Sequence, residues 1–479
     1  MTHATAVPPG SFEPPAHYYP KALNATIHPM VNYFLNLDPA RVVTRYCHLN
    51  PLVDAAALTT LLTTPRRYFQ WAGADLINVT TAEGRRQMVV IENNSCPSGQ
   101  KSMPLQDDHQ EQGGYRHLVA RTIAPLMRPR KSLPGRAAVV FDKNPTEATG
   151  YAAALADALQ EEVLLAECHH DDPDNPMRYR DGVMELRDER GAWHPIRAAF
   201  RYLTQQPWRQ LPLQSRTRVL NPIVACLAGG RNKMIAAKAY DLYNGQLAGT
   251  GLQIRTPETI RDVSKEEIPL YVAQFGGQAV VKVPYSNAGQ GVYTIVTPRE
   301  LEAFMALDFA YDRFIVQSLI GNYRWSSQTA EGRFYHVGTL PSARGHTYVA
   351  DLRVMLSSSA DGLRPICVYG RRAAVPLADD LSDATDSWAM LGTNLSIRRP
   401  DGAFDTDSSR LVLMDRRDFN KLGVGLDDLI EAYVQTVLST VAIDELCTQL
   451  HTKQGKFRRR LFRSLNDDPA LLDEIRYEA

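Results

Sequence analysis

The feature that most constrains this sequence is a glycine-containing loop enclosed by two short apolar runs. The first run, Gln278 to Pro284, contains Lys282, and the second run extends from Gly291 to Val296. Alternating apolar and polar residues in both runs predict two strands joined as a hairpin. The loop itself consists of Ser286, Asn287, Ala288, Gly289, Gln290 and Gly291. Small residues let backbone N–H groups approach phosphate oxygens, and a lysine on the entering strand adds positive charge, so we expect a flap over a phosphorylated ligand.

The same segment excludes two familiar phosphate-binding motifs. The loop does not end in Gly-Lys-Ser or Gly-Lys-Thr, as a Walker loop does, and the residues after it predict a strand rather than a helix. An ordinary hairpin with a surface lysine is the alternative for this segment taken alone. The loop therefore indicates a phosphate clamp without identifying the ligand.

Two strand-like segments far upstream carry oxygen ligands for magnesium. Asp75 lies in the first segment, Glu92 and Asn94 lie in the second, and Thr80 to Arg86 reads as the turn between them. Side chains two residues apart in a strand point to one face, and Asp75 on the partner strand can reach the same face. Carboxylate and amide oxygens suit Mg²⁺. A polar strand end capped by Asn and Pro is the alternative.

Two later strands have less specific signals. Asp351 and Arg353 alternate along a predicted strand and share a face, where they could orient a phosphoryl group or form a structural ion pair. The segment Phe314 to Gln317 reads as an apolar strand that ends where backbone groups could pair with adenine. A plain core strand is the alternative for that segment.

Length and composition predict several domains. At 479 residues the chain exceeds what one small core requires. A strand, helix and strand between Ala137 and Ala166 predict a βαβ unit of a small, doubly wound parallel domain. The Pro-rich residues 1–20 are predicted to be irregular. The predicted domain segments are 1–134, 135–220, 221–340 and 341–479.

Charge and cysteine usage restrict the partners. The chain has 53 basic and 53 acidic residues, which excludes a global attraction to nucleic acid or to an anionic membrane. Its six cysteines are scattered, as in proteins with reduced thiols. The first residues do not have the pattern of a signal peptide, and no apolar stretch is long enough for a membrane span. We expect a cytoplasmic protein that binds small molecules. The sequence leaves open whether the protein forms a homodimer.

Taken in order, these segments resemble the circularly permuted ATP-grasp family. In that family an aspartate strand precedes a strand with Glu-x-Asn and then Pro-Ser-Gly, and here Asp75 is followed by ENNSCPSG. The later segments also follow in the family's order: AAFRYL, NPIVACLAGGRNKMIAAKAYDLYN, VVKVPYSNAGQGVYTI, IVQSLIG, YVADLRVML and LRPICVYGRRAAVPL. The resemblance extends from about residue 70 to about residue 395. It implies an α/β (α+β) chain with a circularly permuted ATP-grasp fold and a small doubly wound pre-ATP-grasp domain. Glutathione synthetase and glutathionylspermidine synthase are more distant relatives.

The resemblance assigns roles to the metal and early nucleotide positions. Asp75, Glu92 and Asn94 match the magnesium ligands of the family. Lys233 matches an early nucleotide-binding lysine, and Lys238 is a second candidate for that role. The permutation implied by the resemblance explains why these metal strands come first in the sequence.

The later segments match further family positions. Lys282 matches the lysine of the strand before the loop, and the glycine loop matches the phosphate flap. Gln317 matches the hinge position, and Asp351 and Arg353 match the late strand pair. Asn394 falls near a late family asparagine, although the surrounding sequence departs from the family pattern. Some relatives have an acidic residue in the loop where this chain has Ser286 and Asn287, so a second metal has no assigned ligand.

The resemblance also implies a reaction that uses ATP and Mg²⁺. Such enzymes activate a small-molecule carboxylate as an acyl phosphate, release ADP, and let an amine displace phosphate to form an amide. Lys282 and Arg353 are the predicted catalytic residues, because the intermediates carry negative charge. Other arginine candidates are Arg324, Arg344, Arg371 and Arg372. The alternatives are an ATP-dependent kinase and a non-catalytic nucleotide-binding protein.

Overall fold

The computed structural model describes residues 3–128, 133–286, 289, 291–382, 385–398 and 404–478. Over these residues the chain has the predicted mixed α/β composition, with three main sheets and a two-stranded ribbon. The β-strands are β1 (Thr5–Val7), β2 (Trp71–Thr80), β3 (Arg86–Asn94), β4 (Arg136–Phe141), β5 (Val163–Glu167), β6 (Met177–Arg180), β7 (Val183–Arg187), β8 (Trp193–Tyr202), β9 (Arg218–Leu220), β10 (Thr259–Val263), β11 (Ala279–Lys282), β12 (Val292–Ile295), β13 (Phe314–Ser318), β14 (Tyr335–His336), β15 (Thr339–Pro341), β16 (Thr347–Ser359), β17 (Gly362–Arg372), β18 (Ser396–Arg398), β19 (Phe404–Thr406) and β20 (Leu411–Val412). The α-helices are α1 (Pro14–His17), α2 (Pro20–Leu23), α3 (Pro29–Leu35), α4 (Pro39–Leu49), α5 (Ala55–Thr63), α6 (Gly113–Leu118), α7 (Ala124–Met127), α8 (Pro145–Leu159), α9 (Pro207–Gln210), α10 (Ile223–Ala225), α11 (Lys233–Gln246), α12 (Ile268–Gln274), α13 (Pro298–Met305), α14 (Ser387–Leu391), α15 (Leu426–Gln449), α16 (Arg459–Leu465) and α17 (Pro469–Glu474).

The central sheet carries all three predicted metal residues, Asp75, Glu92 and Asn94. Its strand order is β14-β2-β16-β17-β20, with β3 paired to β2 and β15 paired to β16. The long helix α15 packs against β2, β3 and β16, and most of its residues are buried because it is apolar on nearly every side. Neither α15 nor any other helix of the described segments has the length and apolar character needed to cross a bilayer. The predicted hairpin of the Asp75 and Glu92 strands is confirmed as β2 and β3.

A β-bulge interrupts the β2–β3 hairpin next to the predicted metal residues. Asp75 pairs with Glu92, but the next residue, Leu76, pairs with Val90. Ile91 is therefore an extra residue in β3. A bulge of this kind leaves a backbone group outside the ladder and re-aims the neighbouring side chains.

The small sheet carries the glycine loop. Its order is β10-β13-β11-β12, and every pairing is antiparallel. Helices α12 and α13 pack against it, and its apolar residues form a core of their own that includes Phe275, Val281, Phe314 and Val316. The predicted hairpin around the loop is confirmed, with Lys282 at the end of β11.

The parallel sheet contains the predicted βαβ unit, which is confirmed. Its order is β1-β5-β4-β8-β7-β6, with β9 paired to β8. Strands β5 and β8 run parallel to β4, and α8 packs against β4 and β5. The prediction of an irregular N-terminus is wrong at Thr5–Val7, which pairs antiparallel with Val163–Leu165, and at Pro14–His17, which forms the short helix α1. The open edge of β5 supplies backbone partners that no local sequence pattern reveals.

Candidate active site

A cleft of about 770 Å³ separates the β2–β3 hairpin from the small sheet. The central sheet contributes Ile91 and Glu92 to its wall, α11 contributes Lys233, and the small sheet contributes Lys282 and Gln317. A volume in this range accommodates a ligand of nucleotide size. The cleft thus collects predicted residues from segments that lie about 200 residues apart in sequence.

Lys282 is held by contacts from both sheets. It is only 4% exposed. Its Nζ donates to Gln317 Oε1 at 2.7 Å and to the carbonyl oxygen of Ile91 at 3.4 Å. The Ile91 carbonyl reaches the lysine because Ile91 is the bulged residue of β3. Burial lowers the pKa of Lys282 to about 8, an effect that the negative charge of Glu92 opposes and the positive charge of Lys233 reinforces.

Lys233 connects the glycine loop to the predicted metal strand. It begins α11, and the side chain of the preceding residue, Asn232, caps the helix by accepting from Ile235 N. Lys233 Nζ donates to the carbonyl oxygen of Ser286 at 2.6 Å and lies 3.6 Å from Glu92 Oε2. Burial lowers the pKa of Lys233, with the neighbouring Glu92 acting in the opposite direction.

Glu92 and Asn94 lie together at the end of β3. Asn94 Nδ2 donates to Glu92 Oε1 at 3.1 Å, and Asn94 Oδ1 accepts from Arg231 Nη1 at 3.3 Å. The Glu92 side chain is 26% exposed and lines the cleft. Two of the three predicted metal residues are therefore adjacent, with the Glu92 carboxylate accessible from the cleft.

Asp75, the third predicted metal residue, is occupied by arginines. Arg353 donates to both of its oxygens, from Nε at 2.5 Å and from Nη2 at 2.7 Å, and Arg371 Nη2 lies 2.9 Å from Oδ2. Burial alone would raise the pKa of Asp75, but the two guanidinium groups hold it well below its usual range. Among the described residues, no three His, Cys, Asp or Glu side chains are grouped as a metal site. A magnesium ligand at Asp75 stays a prediction that requires release of these arginines.

Asp351 and Arg353 belong to a buried charge quartet with Asp75 and Arg371. The strand register places Arg353 opposite Asp75 and Arg371 opposite Asp351. Arg371 Nε donates to Asp351 Oδ1 at 3.0 Å, and Thr393 Oγ1 donates to Asp351 Oδ2 at 2.8 Å. No member of the quartet is among the described residues that line the cleft. The predicted catalytic role of Arg353 and the predicted nucleotide contact of Asp351 therefore stay predictions, with both side chains engaged in the quartet.

Lys238, the second lysine candidate, lies outside the cleft. Its Nζ is 2.7 Å from Asp262 Oδ2 and donates to the carbonyl oxygen of Leu465 at 2.6 Å. Lys238 lies five positions after Lys233, and at about 100° per residue the two side chains project from different sides of α11. The geometry therefore leaves Lys233 as the lysine of α11 that faces the predicted site.

Gln317 positions Lys282 instead of presenting a free hinge. Its Oε1 accepts from Lys282, and its Nε2 donates to Thr259 Oγ1 at 2.9 Å. The following backbone is also paired, because Ser318 N donates to Glu258 O and Leu319 N donates to Ser327 Oγ. The expected backbone contact with adenine consequently has no free donor at residues 318 and 319.

The glycine loop is described at Ser286, Gly289 and Gly291, whereas Asn287, Ala288 and Gln290 lie outside the described residues. Gly289 adopts φ +78°, and a Cβ there would lie 2.4 Å from Asn394 Nδ2 and 2.9 Å from a ring carbon of Trp388. A side chain at this position would be strained by the positive φ and crowded by Asn394 and Trp388. The loop therefore approaches the segment that follows α14.

Sequence reasoning missed two residues that support the site. Arg231 donates to Asn94 and also to the carbonyl oxygen of Cys96 at 3.4 Å. Thr259, on β10, fixes the amide of Gln317 and lines the cleft. Thr259 belongs to no recognisable motif. Arg231 lies in the segment NPIVACLAGGRNKMIAAKAYDLYN of the family resemblance, directly before the cap of α11.

Comparisons with known proteins give structural likeness only. No protein-family model and no curated protein matches the chain. A RimK-domain ATP-grasp protein from Sphaerobacter thermophilus is similar at 16% identity and TM-score 0.29, over 62% of this chain and 99% of that one. D-alanyl-alanine synthetase A from Vibrio cholerae is similar at 12% identity and TM-score 0.30, over 63% and 98%. A glutathione synthetase-like effector from Globodera pallida is similar at 7% identity and TM-score 0.38, over 73% and 86%. Likeness at this level carries no argument about activity. The solved structures that this chain is similar to include a protein described as ATP-grasp, the family that the sequence resembles.

Proposed function

We propose that this chain is an ATP-dependent carboxylate–amine ligase whose cleft binds a magnesium nucleotide. One observation carries the proposal: Lys282, Lys233 and Glu92 meet inside a cleft of nucleotide size, beside the glycine loop. The three residues come from the small sheet, α11 and the central sheet. Triphosphate chemistry requires this combination of cations, an oxygen ligand and a cover.

The two lysines favour an anionic ligand. Both are largely buried, and burial lowers the pKa of each. Glu92 lies within ion-pair distance of Lys233, whereas the described polar partners of Lys282 are the neutral Gln317 and Ile91 groups. Phosphate oxygens would stabilise both ammonium groups by charge-assisted hydrogen bonds. We therefore place the phosphates of the nucleotide between Lys233 and Lys282.

Glu92 and Asn94 are the residues that would hold magnesium. Mg²⁺ takes oxygen ligands, and in nucleotide sites it usually takes one or two from the protein and the rest from phosphates and water. Glu92 Oε2 lies 3.6 Å from Lys233 Nζ, and the carboxylate lines the cleft, so this oxygen ligand fits an ion bound there. The ion would neutralise negative charge on the phosphates.

The proposed reaction has two steps. A carboxylate oxygen of the substrate attacks the γ-phosphorus of ATP, and the bond from that phosphorus to the bridging oxygen of ADP breaks. An amine nitrogen then attacks the acyl carbon and loses a proton, while phosphate leaves with the former carboxylate oxygen. Lys233 and Lys282 hold the phosphate charge, and the flap excludes water that would hydrolyse the acyl phosphate. Arg353 acts indirectly, since its Nη1 donates to the carbonyl oxygen of Ser98 at 3.3 Å and so helps to fix the segment after β3.

The proposal is tested by following the fate of phosphate. The protein is incubated with ATP, Mg²⁺, a mixture of amino acids and a mixture of small amines, and ADP and free phosphate are measured. Phosphate release that depends on both a carboxylate and an amine supports ligation. A phosphorylated product without free phosphate identifies a kinase instead, and binding of ADP without turnover identifies a non-catalytic nucleotide-binding protein.

A variant pair assigns the activity to the cleft. Glu92→Gln is expected to abolish turnover while metal-free ADP still binds, because the nucleotide lysines remain. Glu83→Gln removes the same charge from an exposed residue at the edge of the same cleft and is expected to behave as wild type. Near-normal turnover by Glu92→Gln would remove the carboxylate from the proposed mechanism.

A further inference from the structure

We propose that the C-terminal segment 466–474 positions Lys233 in the cleft, through Tyr285 and the carbonyl oxygen of Ser286. We call this segment the C-terminal anchor. It follows α16, includes α17 and lies beyond the family resemblance, which ends near residue 395. Tyr285 is then a positioning residue, since it acts on the ligand only through Lys233. That Lys233 binds phosphate rests on the proposed function, whereas the anchoring of Tyr285 does not.

The backbone on both sides of Tyr285 is bound by one residue, Lys233. Lys233 N donates to the carbonyl oxygen of Pro284 at 3.0 Å, and Lys233 Nζ donates to the carbonyl oxygen of Ser286 at 2.6 Å. The same ammonium group lies 3.6 Å from Glu92 Oε2. A shift of the Ser286 carbonyl would therefore change where the ammonium group lies in the cleft.

The hydroxyl of Tyr285 is bound by the C-terminal anchor. Tyr285, Asn466 and Asp468 are all buried. Asn466 Nδ2 donates to the hydroxyl at 2.9 Å. The hydroxyl lies 3.0 Å from Asn466 Oδ1 and 3.3 Å from Asp468 Oδ2, and it donates its one proton to one of these oxygens. Loss of the hydroxyl would take this partner away from two buried polar side chains.

The two residues that bind the hydroxyl are themselves fixed by helix ends. Asp468 caps α17, because its Oδ1 accepts from Ala470 N at 3.1 Å and from Leu471 N at 3.4 Å. Asn466 lies at the end of α16, and its N donates to Phe462 O at 2.9 Å. Asn466 Oδ1 also accepts from Asp468 N at 3.2 Å. The C-terminal anchor thus presents its polar groups to Tyr285 in a defined geometry.

The ring of Tyr285 is enclosed by two aromatic residues that the C-terminal anchor also binds. It packs edge-on against Tyr311, with ring centroids 4.6 Å apart, and against Trp208, at 6.4 Å. Glu474 accepts from Tyr311 Oη at 3.0 Å and from Trp208 Nε1 at 2.9 Å. The segment therefore fixes both the hydroxyl of Tyr285 and the surroundings of its ring.

A cavity of about 580 Å³ lies beside these contacts. Phe309 and Arg313 of the segment before β13 line one side of it, and Asp467 and Pro469 of the C-terminal anchor line another. Apolar packing is consequently interrupted between the small sheet and the C-terminal anchor at this place. The polar contacts of Tyr285 and Tyr311 bridge the two parts of the chain instead.

The anchoring is tested first without nucleotide, by hydrogen exchange of the full chain followed by mass spectrometry. Val283 N donates to Gly291 O at 2.7 Å and Ser286 N donates to Val283 O at 3.4 Å, so both amides report on the start of the loop. In Tyr285→Phe, we expect peptides with these amides to exchange about three- to tenfold faster, as for loss of one hydrogen bond. Peptides from α15 should exchange as in wild type.

The matched control is Tyr311→Phe, which removes a hydroxyl that the same C-terminal anchor binds. Both variants should lower the midpoint of urea unfolding, because each loses a hydrogen bond. Faster exchange at Val283 and Ser286 is expected in Tyr285→Phe alone. An unchanged rate in Tyr285→Phe, or an equal increase in Tyr311→Phe, would overturn the proposal.

Nucleotide binding then tests the effect on Lys233. Tyr285→Phe should weaken ADP binding in calorimetry and raise KM for ATP about three- to tenfold, with kcat nearly unchanged. A structural defect alone would lower the amount of active protein and hence the apparent kcat, at unchanged KM, and that result would refute the positioning role. Asn466→Ala should act like Tyr285→Phe, and the two effects should not add, because both remove the same contact.

The two proposals fail separately. If the wild type binds no ADP and turns over no ATP with any mixture, the proposed function fails, and hydrogen exchange alone decides whether the C-terminal anchor fixes Tyr285. If the wild type turns over ATP and Tyr285→Phe has normal exchange and normal KM, the C-terminal anchor has no part in positioning Lys233, and the proposed function is unaffected.

Discussion

Lys282 provides the sharpest test of the cleft, because its removal should stabilise the protein and weaken nucleotide binding together. The proposed change is Lys282→Met, which keeps the length of the side chain and removes its charge. Functional residues held in unfavourable surroundings commonly show this opposition between stability and activity. A lysine with a purely structural role would show the reverse effect on stability.

The magnitude follows from the surroundings of the ammonium group. Burial lowers the pKa of Lys282 from an ordinary 10.5 to about 8. At pH 7 this difference corresponds to about 3 kcal/mol of destabilisation of the folded state. Loss of the hydrogen bond to Gln317 offsets about 1 kcal/mol of that gain. We expect Lys282→Met to raise the free energy of unfolding by about 2 kcal/mol at pH 7.

The effect has a defined pH dependence. Below pH 8 the lysine is charged in both the folded and the unfolded state, so the penalty is complete. Between about pH 8 and 10.5 the unfolded chain holds a proton that the folded chain lacks, and wild-type stability therefore rises with pH. The difference between wild type and Lys282→Met should shrink across this window. Groups that titrate equally in both proteins cancel in the comparison.

The assay is urea unfolding of both proteins at several pH values, together with calorimetric titration of ADP. Nucleotide affinity should fall about ten- to a hundredfold in the variant, as for the loss of one charged contact. Lys456→Met, at an exposed lysine, is the matched control and should change neither quantity. Destabilisation at pH 7 by Lys282→Met, or a stability difference independent of pH, would refute the reasoning.

Two further predictions concern the charge quartet and the loop. Arg371→Met should lower the free energy of unfolding by about 3–5 kcal/mol in urea titrations, because Asp75 and Asp351 lose a shared buried cation; a loss below about 1 kcal/mol would show that the quartet contributes little. Gly289→Ala should raise KM for ATP in steady-state kinetics, because its Cβ would collide with the neighbouring segment at φ +78°. Gly345→Ala shares that φ but meets nothing within 4 Å, and equal effects of the two substitutions would contradict the assignment.

The parts of the site that local patterns determine were predictable. The hairpin with Lys282 follows from alternation and small loop residues, and the β2–β3 hairpin follows from the same kind of signal. The meeting of Glu92 with Lys233 and Lys282 required the family resemblance, since about 190 residues separate the metal strand from the loop. The order of the segments predicted that these residues share one site, because the same segments occur together in that family.

The remainder depends on contacts that no local pattern encodes. From the sequence, Asp75 is expected to be a free carboxylate. The register of β16 and β17 places two arginines beside it instead. From the sequence, Gln317 is expected at the hinge. In the structure, Lys282 and Thr259 form hydrogen bonds with its amide group. Lys238 is different, because helical spacing from Lys233 already predicts that both cannot face the cleft.

The placement of β1 has a consequence for how the chain folds during synthesis. Val7 pairs with Val163, so the N-terminal strand must wait for a partner about 150 residues downstream. At ~5–20 residues per second, the ribosome needs roughly ten to thirty seconds to deliver that partner. During this interval the first residues of the chain emerge without the strand edge on which they finally lie. Closing so long a loop delays the pairing of β1, and the docking of this strand would report that β5 is in place.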